Sequence, residues 1–322
     1  MSQIVFNFMS TTSFIFNQSA STGFSSAIRP LGPPRPHRPL SPLIQTEDLA
    51  TKQKDAAAID WIHIRTPDPR ALLFVPPLIG GHHAQQVRHF RRLIRRGYDL
   101  VSFNYAGHGD SSGKFSLDAA LGDTRTALNR AAAVSQREGL PLHGIGVCYP
   151  AIPLLACAAR SPGVFDKIIL VNAIMGLRPR AIIRSFFDYY SDLRRTESRV
   201  PRVAEAFHRY ADFLFPGVVK SRGRFGTLHR RRTRLLKTLF DAVFLDPLSD
   251  AHLPRTPVLC LYSTHDRILQ ITENALGDRY EEDVRRICPL ATFRPLAADH
   301  FLSHPGARSA AFGDVLAFLG AE

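Results

Sequence analysis

The 322-residue chain has only four cysteines, at positions 148, 157, 260 and 288. Their spacing matches no metal-ligand motif, and their density is far below that of a disulfide-stapled fold. No stretch approaches the ~20 consecutive apolar residues that a transmembrane helix needs. The sequence therefore predicts a protein of a reducing cytoplasm without a transmembrane segment, a metal or another cofactor, in which a free cysteine is available for chemistry.

Lysine and acidic residues are scarce relative to arginine, with 35 Arg against 6 Lys and a net charge of +13. Most of the excess lies in residues 175–252, which contain 16 basic and 8 acidic side chains. Such charge favours a phosphate-bearing molecule, an acidic protein, nucleic acid or a membrane surface as partner, unless it is only a solvated arginine-rich face. Nucleic acid is disfavoured, because no RNA-binding motif or alternation of basic and stacking aromatic residues is present.

Residues 1–46 contain no acidic residue and are rich in serine and then in proline. No helical or strand period is sustained there, which predicts a disordered leader. An over-extended start or a floppy tail is the preferred interpretation, and an organelle transit peptide is the alternative.

From about residue 58, short apolar runs alternate with helical patterns. The apolar runs are 59–64, 71–75, 98–105, 143–147, 167–172, 258–262 and 291–296, and the helical patterns are 85–96, 117–137, 151–160 and 307–319. This alternation predicts a mostly parallel sheet with helices on both faces. It lapses from 175 to 252, where a basic, helix-like stretch is predicted to be a cap inserted between two parts of the core, 47–174 and 253–322.

The most informative segment is Gly144-Ile145-Gly146-Val147-Cys148-Tyr149-Pro150-Ala151, which joins an apolar run to a helical pattern. A nucleophile on such a strand-to-helix turn needs small neighbours, and Gly146 meets that need. The turn aims the side chain at a helix N-terminus, where the helix field and free N–H groups favour a thiolate. Pro150 is compatible with a first helical turn. A buried core thiol is the alternative interpretation of Cys148.

Gly146-x-Cys148-x-Pro150 resembles the G-x-nucleophile-x-G elbow of the α/β-hydrolase superfamily. Cysteine replaces the commoner serine, as in dienelactone hydrolases and polyhydroxyalkanoate synthases, and Pro150 replaces the final glycine. Residues 107–113, GHGDSSG, are similar to the turn that this superfamily places between a strand and the helix before the elbow. The resemblance covers roughly 58–174 and 253–322 and implies an α/β-hydrolase fold carrying a helical cap.

The resemblance also implies an oxyanion hole made of two backbone N–H groups. Tyr149, which follows the nucleophile, supplies one, and the loop after the first apolar run supplies the other. Its position favours Leu78, with Ile79 as the alternative. His82 and His83 follow in the same loop and are expected to be solvated, with substrate contact as the alternative.

The remaining members of the implied triad follow the last strands. Asp266 lies just after the run 258–262 and is the predicted acid, with Asp246 as the alternative. His300 follows the final run and is the predicted base that deprotonates Cys148, with His304 as second choice. The order nucleophile, acid, base agrees with the resemblance.

A cysteine acyl-enzyme is itself a thioester, so its formation from a thioester donor is close to thermoneutral. The sequence therefore favours an acyl hydrolase, above all a thioesterase, that takes acyl-CoA or an acyl carrier protein thioester. The alternatives are an acyltransferase or cyclase using the same residues, and a non-catalytic binding protein. Phe186, Phe187, Phe213 and Phe215 of the cap are candidates for lining an acyl tunnel or for forming the core of the cap itself.

Overall fold

A computed structural model describes residues 50–53, 59–78, 81–176, 179–197, 199, 202–214, 247–266, 268–269, 278–300 and 302–320. The predicted leader, 1–46, lies outside these residues. So do the alternative oxyanion donor Ile79, the alternative acid Asp246 and the cap residue Phe215.

The described strands form one sheet in the order β1-β2-β4-β3-β5-β6-β7-β8. The strands are β1 (Ala50–Gln53), β2 (Trp61–Ile64), β3 (Ala71–Phe74), β4 (Tyr98–Phe103), β5 (Leu142–Val147), β6 (Lys167–Val171), β7 (Val258–Ser263) and β8 (Ala291–Leu296). β2 pairs antiparallel with both β1 and β4, and all the other neighbours are parallel. The predicted mostly parallel sheet is confirmed.

Helices connect the parallel strands. They are α1 (His83–His89), α2 (Arg91–Ile94), α3 (Leu117–Glu138), α4 (Ala151–Arg160), α5 (Pro179–Thr196), α6 (Val203–Leu214), α7 (Asp278–Ile287) and α8 (Pro305–Leu319). The single helix predicted over 85–96 is interrupted at Phe90, whose backbone leaves the helical region at φ −97° and ψ 12° while its ring is buried. None of the described helices has both the length and the apolar character needed to cross a membrane.

Apolar side chains cover both faces of the sheet because successive strand residues point to opposite sides. On one face Phe74 and Leu170 belong to the core that includes α3 and α4. On the other face Leu73 and Ile169 belong to the core that includes α2 and α8. Helices therefore cover both faces of the sheet. Because the strands β3 to β8 are parallel, their carboxyl ends lie at one edge, between the two helical layers.

The segment predicted as the cap contributes α5 and α6 between β6 and β7. These helices pack through aromatic rings, with Phe186 5.4 Å from Phe207 and 5.6 Å from Tyr210 between ring centroids. Phe186 is thus buried between these two helices, whereas Phe187 is 59% exposed. The ring contacts of Phe186 favour packing within the predicted cap over a tunnel lining.

Candidate active site

Cys148 stands on a sharp turn between β5 and α4. Its φ is +59°, in the left-handed region that a residue with a side chain adopts only when its surroundings enforce it. A Cβ on Gly146 would lie 2.8 Å from the Cα of Ala151, so only glycine lets the helix start so close to the strand. Pro150 caps α4 at φ −52° and does not prevent this close packing.

His300, in the loop between β8 and α8, lies between a carboxylate and the Cys148 sulfur. Its Nδ1–H donates to Asp266 Oδ2 at 2.7 Å, and the imidazole also hydrogen-bonds the Cys148 side chain. Asp266 is fully buried, and its Oδ1 accepts from the backbone N–H groups of Ile268 and Leu269, each at 2.9 Å. The structure therefore brings the predicted nucleophile, base and acid into one chain of contacts.

The electrostatics of His300 favour its charged form. Burial lowers the pKa of the imidazole, but the electrostatic interaction with Cys148 and the hydrogen bonds with Asp266 and Cys148 outweigh it and raise the pKa to about 10, from an ordinary value of 6.5. A protonated imidazole beside the sulfur stabilises a thiolate, which is the nucleophilic form of cysteine.

The other cysteines have environments that suppress reactivity. Burial raises the pKa of the Cys157 thiol to about 11 and those of Cys260 and Cys288 to about 12. Cys148 is the partly exposed cysteine of the four. The alternative interpretation of Cys148 as a sealed core thiol is therefore wrong.

The predicted oxyanion donors follow two neighbouring parallel strands, Leu78 after β3 and Tyr149 after β5. Within the described residues, the backbone N–H groups of Leu78 and Tyr149 donate to no protein acceptor. The Leu78 carbonyl accepts from the N–H of Gly81 at 2.8 Å. Both N–H groups are thus available to a ligand oxygen.

Comparisons place this architecture among known folds. No protein-family model and no curated protein sequence matches the chain. Among solved structures, a soluble variant of monoglyceride lipase from Saccharomyces cerevisiae is similar, with a TM-score of 0.56 and 13% identity over 89% of this chain and 98% of that chain. A carboxyl esterase from Bacillus coagulans gives a TM-score of 0.56 and 12% identity over 84% and 97%. This protein has the α/β-hydrolase fold.

A third similar structure is 2-hydroxy-6-oxo-6-phenylhexa-2,4-dienoate hydrolase from Rhodococcus, with a TM-score of 0.55 and 16% identity over 85% of this chain and 99% of that chain. At these identities the similarity concerns the fold. The candidate site therefore has to be judged from its own residues.

Two further histidines considered in the sequence analysis, His304 and His83, form hydrogen bonds within the protein. His304, the second-choice base, is exposed, and its Nδ1 accepts from the N–H of Gly306 at 3.2 Å as the N-cap of α8. The expectation of a solvated loop is wrong for His83, which is 2% exposed and donates from Nε2 to Asp60 Oδ2 at 3.1 Å.

Two clusters contain donors of the kind that bind metals. They comprise Asp60, His82 and His83 in one and His63, Asp99 and Glu138 in the other. The carboxylate of Asp60 already accepts from His83 and Asn104, and that of Asp99 accepts from His63 and Thr66. Each of the two clusters is therefore part of a hydrogen-bonded network of protein side chains.

Asn172 is a site residue that the sequence reasoning missed. It follows β6 at φ +44°, its Nδ2 donates to the His300 carbonyl at 2.7 Å, and its Oδ1 accepts from the N–H of Ser263 at 2.7 Å. The side chain therefore ties the loop of the candidate base to the end of β7. The only sequence indication was that the apolar run 167–172 ends in an asparagine, a residue that tolerates the left-handed region.

Asn172→Ala is expected to lower the free energy of unfolding by about 2–4 kcal/mol. The change leaves a buried carbonyl and a buried N–H unpaired and places alanine at positive φ. Urea unfolding followed by circular dichroism measures the effect. Asn172→Gly, which tolerates the backbone conformation, is expected to lose less, and an unchanged midpoint in Asn172→Ala would contradict the bridging role.

Proposed function

We propose that the protein is a cysteine-dependent acyl hydrolase, with a thioester as its substrate. The observation that carries the proposal is the His300 imidazole, which contacts the Cys148 side chain on one side and Asp266 Oδ2, at 2.7 Å, on the other. The hydrolases among the solved structures with this fold support the general reaction class.

In the first step, the Cys148 thiolate attacks the acyl carbonyl and forms a carbon–sulfur bond. The carbonyl electron pair moves onto oxygen, and the N–H groups of Leu78 and Tyr149 bind that oxyanion. When the intermediate collapses, the bond to the leaving thiol breaks, and His300 donates its proton to the departing sulfur. The product is an acyl group bound to Cys148.

In the second step, His300 is neutral and accepts a proton from a water molecule that attacks the acyl-enzyme. The second tetrahedral intermediate collapses, the acid leaves, and the proton on His300 again faces the Cys148 thiolate. Asp266 holds the imidazole in the orientation both steps need, because its own position is held by the N–H groups of Ile268 and Leu269.

A thioester donor suits a cysteine nucleophile because one thioester replaces another, whereas acylation from an ordinary ester is uphill. The basic cap agrees with this substrate class. Arg184, Arg194 and Arg202 are exposed on or beside its helices, and arginine suits both the phosphates of acyl-CoA and the acidic surface of an acyl carrier protein.

Incubation with short- and long-chain acyl-CoA is expected to add the mass of one acyl group to each protein molecule, because acylation at Cys148 precedes hydrolysis. Intact-mass spectrometry after rapid acid quenching measures the adduct. Cys148→Ala is expected to show none, whereas Cys157→Ala, which removes a buried thiol, is expected to retain it.

Decay of this adduct in water alone identifies a hydrolase, and decay only with an added alcohol or amine identifies an acyltransferase. If no donor produces an adduct and Cys148 also resists iodoacetamide, a non-catalytic binding role replaces the proposal.

A further inference from the structure

A buried hydrogen-bond network lies beside the loop that carries the proposed oxyanion donor Leu78. The Asp60 carboxylate accepts from Nε2–H of His83 at 3.1 Å and from Nδ2–H of Asn104 at 2.6 Å. The backbone N–H of His83 donates to Oδ1 of Asn104 at 2.8 Å. None of these three residues is more than 7% exposed.

The network joins three segments at the same edge of the sheet. Asp60 lies just before β2, His83 begins α1, and Asn104 follows β4. Ser111 closes the network, because its Oγ accepts from the N–H of Asp60 at 2.9 Å and donates to the Asn104 carbonyl at 2.7 Å. Gly109, at φ +52°, packs so closely on Asn104 that a Cβ would overlap its Nδ2.

The oxyanion loop, of which residues 75–78 and 81–83 are described, has an anchor at each end. At its start, the Val75 carbonyl accepts from Ser102 Oγ at 2.7 Å, and the Val75 N–H donates to the Val101 carbonyl at 2.9 Å. At its other end His83 binds Asp60. Leu78 lies between the two anchors in the sequence, and its carbonyl accepts from the N–H of Gly81 at 2.8 Å on the side of the second anchor.

The second anchor, the contact between His83 and Asp60, costs free energy to bury. Burying an ionised carboxylate costs several kcal/mol unless partners compensate, and apolar residues would hold a purely structural contact more cheaply. Burial raises the pKa of Asp60, but the hydrogen bonds and charge of His83, together with Asn104, outweigh it and lower the pKa below 3.8. Nδ1 of His83 is buried without a hydrogen-bond partner, which adds to the cost.

We infer that Asp60 and His83 are positioning residues that hold the Leu78 N–H where the oxyanion of acyl transfer develops. This inference rests on the proposed function. A buried hydrogen bond to a carboxylate suits the task because it is directional and resists the small displacements that weaken an oxyanion hole.

Two reactions of the same sulfur separate this role from a general effect on the fold. Alkylation of Cys148 by iodoacetamide needs the thiolate but forms no oxyanion, whereas acylation by acyl-CoA needs both. Asp60→Ala and His83→Ala are each expected to slow acylation about 10²-fold, the size typical for loss of one oxyanion donor, and to change alkylation less than twofold. Stopped-flow release of CoA and mass-resolved alkylation measure the two rates.

His83→Gln places an amide N–H donor near the position of Nε2–H and is expected to restore acylation to within about fivefold of wild type. The matched control is His63→Ala, which breaks another buried pair, His63 Nε2 to Asp99 Oδ2 at 3.1 Å, away from this loop. Its ratio of acylation to alkylation is expected to remain that of wild type. The double variant Asp60→Ala/His83→Ala is expected to lose no more than either single variant, since both remove one contact.

Equal losses of both rates in His83→Ala, or an unchanged ratio in Asp60→Ala, would overturn the inference while leaving the proposed function intact. Wild-type protein that is alkylated but never acylated would instead overturn the proposed function and this inference with it. If Asp60→Ala fails to fold, Asp60→Asn carries the test, because it keeps an acceptor oxygen and loses the charge. Its acylation is then expected to fall about tenfold with alkylation unchanged.

Discussion

His300→Ala is expected to lower kcat/KM for an acyl thioester by about 10⁴-fold or more. In the proposed mechanism the imidazole stabilises the Cys148 thiolate, protonates the leaving thiol and activates water, so its removal disables all three functions together. Its contacts with Asp266 and Cys148 make it the centre of the proposed site. Steady-state hydrolysis of acyl-CoA, followed by reaction of released CoA with a thiol reagent, measures the change.

The matched control is His304→Ala, which removes a histidine four positions away on the same loop. Because His304 is exposed and caps α8, this variant is expected to keep activity within twofold and to lose about 1 kcal/mol of stability. The activity of Asp266→Asn is expected to lie between those of His300→Ala and His304→Ala, since this change disturbs imidazole orientation without removing the base. Comparable activity in His300→Ala and wild type would refute the assignment of the base.

Alkylation of Cys148 by iodoacetamide is expected to vary less with pH between about 6 and 8 in wild-type protein than in His300→Ala. The pKa of His300 in the folded protein lies well above 6.5, so the imidazolium that stabilises the thiolate persists across this range and loses its proton only at alkaline pH. At pH 6 alkylation is therefore expected to be faster in wild-type protein than in His300→Ala, which lacks the imidazolium.

Mass-resolved alkylation of the native protein at several pH values measures this profile. The alkylation rate of His300→Ala is expected to rise more steeply with pH than that of wild-type protein. Cys148→Ala is expected to leave the native protein unalkylated, because burial raises the pKa of the remaining thiols to about 11 or 12. A steep wild-type profile would show that no ion pair forms between the sulfur and the imidazole.

Much of the sheet was predictable because its central strands are short apolar runs bounded by turn residues, and α4 was predicted with its observed limits, Ala151–Arg160. β1, ATKQ, was missed because an edge strand has few apolar residues and pairs on one side only. α7 was missed because most of its surface is charged. Its buried residues Tyr280, Val284 and Ile287 nevertheless follow helical spacing.

The amino-acid order alone identified the features that local physics encodes. These are the glycine that permits a tight turn before Cys148, the apolar runs that become buried strands, and the order of sulfur, carboxylate and imidazole along the chain. The tertiary structure determined the pairings between residues distant in the sequence, because the spacing of apolar residues along the chain does not show which distant residues meet. Asp266 and His300 are 34 positions apart, Asn172 and the His300 carbonyl 128, and Asp60 and His83 23. Cys148, Asp266 and His300 follow different strands, and they meet because the parallel strands end at the same edge of the sheet. The tertiary structure therefore decides that His300 faces the sulfur and that His304 caps a helix.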